Sequence, residues 1–315
     1  MTVNNSPTRS FRMVRRIGWV LLIGALLLVL VPGARVGIAA FQVATDRQPV
    51  PQLADIGSTR SLVVLPIFEK AADKGLASGH GVSYLLQTDT TAVLMDMGFN
   101  PDAQDPSPLE QNMAALGLGI DDFDAVVISH HHPDHVGSVD WWLNNTFSLG
   151  VHQDDLGSKE IYTPIAMHYP GAGPIVSATP RILAPGVATL GNLSFVNVFP
   201  LSLLEPLMQE QVLAVNVESV GIVLITGCGH PGVERIITHA EQVLNRPIAG
   251  IIGGLHLGDA AESELQDEIA TVRKLEPAIV ALSPHDSSEG VIAVWRTAFP
   301  AAYRDLKVGA GLQLP

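Results

Sequence analysis

Residues Ser129 to His135 read S-H-H-H-P-D-H, so His130, His132, Asp134 and His135 follow the spacing His-x-His-x-Asp-His. Imidazole nitrogens and carboxylate oxygens are ordinary ligands of a borderline cation such as zinc. Side chains two apart project to one side where a strand frays into a loop. The spacing predicts that His130 and His132 reach one ion, that Asp134 and His135 face a second, and that His131 points away. A histidine-rich tract can also be a surface metal scavenger. This one follows an apolar strand, and more histidines recur downstream in the same kind of setting.

Three later segments repeat the pattern of an apolar run ending in a chemically active side chain. Thr226 to Gly232 (TGCGHPG) closes the run GIVLIT and contains Cys228, the one cysteine of the chain, and His230. A free cysteine can be a small buried residue or, as the thiolate, a zinc ligand. His230 can complete a coordination shell or donate a proton. Gly253 to Leu257 (GGLHL) ends the run Ile248 to Ile252 and brings His256 to a strand terminus, where a plain core or surface histidine is the competing reading. Ser283 to Ser288 (SPHDSS) follows AIVAL and presents His285.

The elements that must position these residues are legible around them. Ser61–Phe68, Val82–Thr88 and Ala92–Met95 are short β-rich runs broken by Gly, Asp and Lys. Leu109, Met113, Leu116 and Leu118 recur at near-helical spacing after Ser107, a helix cap, and Gly117 and Gly119 end the segment. Asp124–Ser129 is a buried strand that delivers the chain into the histidine cluster, at the carboxyl end where α/β folds place ligands. Gly137–Leu143 reads as a short helix, with Trp141 and Trp142 packed beneath the cleft. Leu213–Val217 and Gly221–Thr226 read as a hairpin, Val233–Leu244 and Glu262–Leu275 as helices, and Ala278–Leu282 as a strand. The order is that of an α/β (α+β) domain with helices covering two packed sheets.

The run from Ser129 to His135 resembles the HxHxDH signature of the metallo-β-lactamase superfamily. Gly81–Gly98 resembles that family's opening hairpin. The resemblance implies a four-layer αββα sandwich with a dinuclear metal cleft at the sheet edge. It assigns His130, His132, Asp134, His135 and His285 as metal ligands, Asp96 as their support from behind, and Cys228 to the position of the usual bridging aspartate. TGCGHPG, GGLHL and SPHDSS together resemble the branch containing dihydropterin phosphate synthase-like metal-dependent hydrolases, over about Leu62 to Gly309. Two departures stand out. Phe195–Val217 contains no histidine where many members have a further ligand, so Glu210, His230 or His256 is the expected substitute. His285-Asp286-Ser287-Ser288 stands where the branch often has His-Cys-Thr-Gly, which puts the synthase substrate in doubt.

The implied activity is hydrolysis of an ester, phosphoester or lactone-type small molecule by a hydroxide held at two zinc ions, with iron or manganese as alternatives. Asp134 would orient the nucleophile, and His230 or His256 would protonate the leaving group. His168 and Tyr169, near the turn Gly171-Ala172-Gly173, are candidates to contact substrate from an inserted loop. A synthase-like transferase acting on a pterin phosphate and a metal-dependent binding or sensing module are the competing functions.

Composition narrows the partners. The first 60 residues hold seven arginines against two acidic residues, which leaves 11 basic against 29 acidic residues in 61–315. A domain that acidic repels phosphate backbones, so nucleic acid is not an expected partner. Ile17–Val31 is an uncharged apolar run preceded by Arg9, Arg12, Arg15 and Arg16. This predicts a basic cytoplasmic segment over 1–16, a signal anchor or cleaved signal peptide over 17–34, a linker over 35–60 and the catalytic domain over 61–315. The domain is then expected outside the inner membrane, tethered by the N-terminal hydrophobic helix or released if the leader is cleaved. Composition sets no oligomeric state.

Overall fold

The computed structural model describes residues 30–46, 50–258 and 260–315. They divide into two compact units, one drawn from the chain up to Arg47 together with Phe195–Met208, the other from Gln48–Ser194 with Gln209–Pro315.

The larger unit is built on two sheets. The first contains β1 (Leu62–Phe68), β2 (Ser83–Thr88), β3 (Ala92–Met95), β4 (Ala125–Val127), β5 (Glu160–Thr163), β6 (Ile175–Val176) and β13 (Leu312–Leu314), in the order β13-β1-β2-β3-β4-β5-β6. The second contains β7 (Arg181–Ala184), β8 (Val187–Val196), β9 (Leu207–Val217), β10 (Gly221–Thr226), β11 (Ile248–Gly253) and β12 (Ile279–Leu282), in the order β12-β11-β10-β9-β8-β7.

Strict alternation along the strands creates the layers. Val64, Tyr84, Val93 and Val127 of the first sheet meet Leu213, Val215, Val223, Ile225 and Ile252 of the second in one buried cluster between the sheets. Their chain neighbours face outward. Ile67, Leu85, Leu94 and Val126 pack with Leu109 and Met113 of α2 (Pro108–Ala115). Ala214, Leu224, Ile251 and Val280 pack with α5 (Val233–Leu244), α6 (Glu262–Arg273) and α7 (Glu289–Ala298). Because both faces of each sheet are covered, the strands read as continuous apolar runs, and a slip of one residue would exchange the two cores. The expected four-layer order, helix on sheet on sheet on helix, is present.

Ser107 caps α2 as expected, with a full capping box: Glu110 N–H donates to the Ser107 hydroxyl and Ser107 N–H to the Glu110 carboxylate. Two short helices leave the histidine loop, α3 (Pro133–Val136) and α4 (Val139–Leu143), the second capped by Ser138. The structure extends the expected hairpin back to Leu207. The polar run Gln209-Glu210-Gln211 argues against a buried strand, yet Gln211 is satisfied by the Thr189 hydroxyl at 2.7 Å and by the carbonyls of Ile128 and Tyr162 at 2.7 and 3.1 Å.

The expected linker differs most. Residues 30–45 form a helix, α1, so the first part of 35–60 is not extended chain. Residues 50–60 lie on the domain: Ile56 is buried, its carbonyl accepts from Gly186 N–H, and Leu53 N–H donates to the Val243 carbonyl. Those contacts satisfy backbone groups that a free linker would leave to water. The basic segment 1–16 and most of the expected leader, 17–29, lie outside the described residues. Among the described residues no helix is long and apolar enough to cross a membrane.

Candidate metal centre

The ends of five strands converge. Glu69 follows β1, Asp96 follows β3, His130 lies just beyond β4, Cys228 beyond β10 and His285 beyond β12. β3 and β4 run parallel, as do β10, β11 and β12, so within each sheet these ends share an edge. That edge is where backbone pairing stops and side chains are free to converge on a ligand.

His130, His132 and His230 place one donor atom each within 4.8 Å of one another, and Asp134, His135 and His285 form a second group on the same criterion. His130 Nε2 lies 3.0 Å from His132 Nδ1. The Cys228 sulfur joins the two groups: it lies 3.1 Å from His135 Nε2 and 3.1 Å from His285 Nε2, and it also groups with His130 and His135. Converging nitrogen, sulfur and oxygen lone pairs at such spacing repel one another unless a cation stands among them, and this donor set suits zinc or a neighbouring transition metal. The residues present therefore fit a two-ion centre.

The opposite ring nitrogens are held from behind. His135 Nδ1 lies 2.8 Å from Asp96 Oδ2. The Ser129 hydroxyl donates to the same carboxylate at 2.6 Å and meets His130 Nδ1 at 3.0 Å. With Nδ1–H donating in each case, Nε2 faces the cleft, as a lone pair in His130 and, in His135, as a nitrogen whose proton a bound cation would displace. Asp96 adopts a left-handed backbone, φ 63°, and its other oxygen accepts from Ser129 N–H at 2.6 Å. Gly227 lies against this pair, and a Cβ there would overlap the Ser129 hydroxyl.

A second carboxylate–serine pair supports His285. The Ser283 hydroxyl donates to the buried Glu69 carboxylate and meets His285 Nδ1 at 2.6 Å; Tyr84 donates to Glu69 at 2.8 Å. Sequence reading missed Glu69, because one carboxylate after an apolar strand carries no spacing signal. It also missed His80, whose Nε2 lies 3.2 Å from Asp134 Oδ2 with the ring largely exposed at the mouth.

Protonation follows burial and neighbouring charge. Burial, then the neighbouring imidazoles, hold His130 and His230 well below the usual histidine range, and burial, then His135, does the same for His285. Burial opposes the charged form of His135 too, but Asp96 and Asp134 together outweigh it and raise this group to about 9. Burial and nearby carboxylates push the Cys228 thiol up, so a cation is needed to draw off its proton. For Asp134 burial opposes ionisation, and the surrounding histidines outweigh it, keeping the carboxylate below its ordinary value.

Glu210, Tyr169, His168 and His256 lie outside the ligand groups. Glu210 is not in the ligand groups: Oε1 accepts from Cys228 and Gly229 N–H at 3.2 and 2.8 Å, and Oε2 from His230 N–H at 2.9 Å. It builds the turn that carries Cys228 and His230, because three converging buried amides demand an acceptor. Tyr169 is buried, stacked on Phe147, with its hydroxyl on the Asp154 carbonyl at 2.9 Å, and so is spent on the core. His168 is exposed, with its backbone bound to Asn145 and Thr146. His256 stays outside the ligand groups, exposed, its ring 4.4 Å from that of His230 and its amide on Asp286 at 2.9 Å. Asp286 itself groups with Cys228 and His285, although one of its oxygens is committed to that amide. His131 is buried with neither ring nitrogen hydrogen-bonded, and burial lowers it to about 4, so it stays neutral.

The profile of the metallo-beta-lactamase superfamily matches residues 77–181. The 7,8-dihydropterin-6-methyl-4-(beta-D-ribofuranosyl)-aminobenzene-5'-phosphate synthase of Methanocaldococcus jannaschii is 23% identical over 258 residues, 71% of this chain and 87% of that protein. Among solved structures, Tm1679, a metal-dependent hydrolase of the beta-lactamase superfamily, aligns with a TM-score of 0.58 at 19% identity over 80% of this chain and 99% of that one. The metallo-beta-lactamase fold protein YhfI from Bacillus subtilis aligns with a TM-score of 0.53 at 12% identity, over 81% and 100% of the two chains.

Proposed function

We propose that the chain is a member of the metallo-β-lactamase superfamily, whose profile matches residues 77–181, and that it is a metal-dependent hydrolase acting on an ester, phosphoester or lactone-type small molecule at a dinuclear centre. The observation that carries this reading is the single sulfur of Cys228 standing between two groups of three ligands. Zinc is the first choice of metal from the donor set, with iron or manganese as alternatives. Bound divalent cations supply Lewis acidity and make water a competent nucleophile near neutral pH.

The protein's own groups do the rest. His130, His132 and His230 would hold one ion and Asp134, His135 and His285 the other, with Cys228 within reach of both groups. Asp134, kept ionised and 16% exposed, orients the attacking water and accepts its proton. His256 stands next to His230 at the mouth and, as the imidazolium, would give its proton to the leaving group and be reprotonated from solvent. With His230 drawn into the ligand set, His256 is the stronger candidate for that step.

A second reading rests on the archaeal relative, a synthase that this chain matches over 87% of its length. In that reading the same centre serves a transferase acting on a pterin phosphate. We also place the domain on the outer side of a membrane, tethered or released, on the apolar run and its preceding arginines. A panel of phosphodiester, aryl ester and lactone substrates, run beside a pterin phosphate with its acceptor, separates the two activities. Turnover of the first group that is lost in His132→Ala supports the hydrolase; turnover of the pterin substrate alone contradicts it.

A further inference from the structure

Exposed apolar side chains are concentrated in the smaller unit. Seven of the eleven large hydrophobic residues exposed among the described residues belong to it: Leu30, Val31, Ile38 and Phe41 on α1, and Phe199, Leu203 and Leu204 in the turn between β8 and β9. The other four are scattered over α4, β6 and β7.

The four on α1 share a face. At about 100° per residue, Leu30, Val31, Ile38 and Phe41 fall within roughly a 100° arc. The opposite side carries Pro32, Val36, Ala39 and Val43, which are partly or fully buried. α1 is thus packed on one side and bare and apolar on the other. The turn matches it: 195–204 (FVNVFPLSLL) has no charged residue, and Phe199 and Leu204 are 79% and 66% exposed. Arg35, the only charged residue in 30–45, donates to the Leu204 carbonyl at 3.2 Å, which ties helix to turn.

We propose that the bare face of α1 and the β8–β9 turn form one surface that sits in the headgroup and upper acyl region of a phospholipid bilayer. Water gives such a surface nothing, whereas lipid accepts it without desolvating a free charge. Continuity identifies the occupant: α1 is preceded by the uncharged run from Ile17, and that run by four arginines suited to anionic headgroups. The inference rests on the tethered reading and extends it, since the turn supplies a second contact 169 residues away in sequence. Two linked contacts hold the chain to the bilayer more tightly than either alone.

The test uses the full chain in vesicles of phosphatidylcholine and phosphatidylglycerol, with Trp19→Phe removing the leader's own tryptophan. In that background Phe199→Trp reports on the turn and Ile182→Trp on an exposed site of the other unit, each read as the difference from the background protein. The expected result is flotation with the vesicles and blue-shifted difference emission from the position-199 reporter. That emission is lost when the acyl chains are brominated, while emission from the position-182 reporter survives. Flotation with equal, water-like emission from both reporters overturns the turn contact and leaves the tether standing. Failure to float overturns both. An unquenched reporter at position 199, with Phe199→Ser halving the mass of the solubilised particle, overturns the bilayer as occupant in favour of a second copy of the chain.

Discussion

The sulfur of Cys228, beyond the end of β10 in one sheet, lies 3.1 Å from Nε2 of His135, in the short helix that follows β4 of the other. This contact links the two sheets at the candidate metal centre, beside the apolar cluster between them. Cys228→Ala should therefore retain the fold and lower the bound metal from about two ions per chain to about one. Cys228→Asp, which restores a bridging anion, should recover the second ion. The cobalt-substituted wild-type protein should show a thiolate-to-cobalt charge-transfer absorption, and its absence there would remove Cys228, the one cysteine of the chain, from the ligand set.

His230 and His256 are neighbours, but only His230 lies among the ligand groups. His230→Ala should lose metal on dialysis, whereas His256→Ala should keep its metal and lose turnover. Identical metal content in the two variants would contradict this division of labour.

Glu69 acts on His285 through Ser283. Carboxylates behind a ligating histidine fix its orientation and tautomer, and their loss typically costs about 10- to 100-fold in metal affinity. Glu69→Ala should weaken the more loosely held ion by about that factor in competition titrations, and Glu69→Asp should recover part of it. An unchanged affinity in Glu69→Ala, in a folded protein, would assign Glu69 to the core alone.

Glu210 is the acceptor for three buried amides. Glu210→Ala strands those donors and should destabilise the fold by on the order of 3 kcal/mol, read by urea denaturation. Loss of metal with no loss of stability would make it a ligand instead.

The half-buried Glu268 on α6 has its pKa raised to about 6 from 4.5, by burial first and then by Glu264, Glu234 and Asp267. A raised carboxylate binds its proton more tightly in the folded state, so its penalty is absent below about pH 4.5, develops between 4.5 and 6, and persists above. Glu268→Gln should leave stability unchanged at about pH 4 and raise it at about pH 8. The gain should be about 1 kcal/mol or less once solvent screening is allowed for. Equal effects at both pH values would refute this charge-based account.

Where the chemistry lay in short, ordered motifs, the sequence was informative. His130, His132, Asp134 and His135 could be read as a cluster, and Cys228 and His285 as its distant partners, because each ends an apolar strand. Short apolar, β-rich runs broken by Gly, Asp and Lys likewise placed the central strands. What stayed hidden depended on tertiary partners. β9 runs through Gln209-Glu210-Gln211 because buried acceptors and donors meet those side chains, which no local pattern reveals. Tyr169 looked free to touch substrate until Phe147 and the Asp154 carbonyl claimed it. Glu69 lies far before the histidine loop and 214 residues before Ser283, and only strand order brings them together.

The most direct test of a shared two-ion centre is the metal content of the full chain, purified without chelator and measured by mass spectrometry beside His132→Ala. The account predicts about two transition-metal ions per wild-type chain and fewer in the variant. A folded, stable wild-type protein that binds no metal, even when zinc, iron or manganese is supplied, would contradict it.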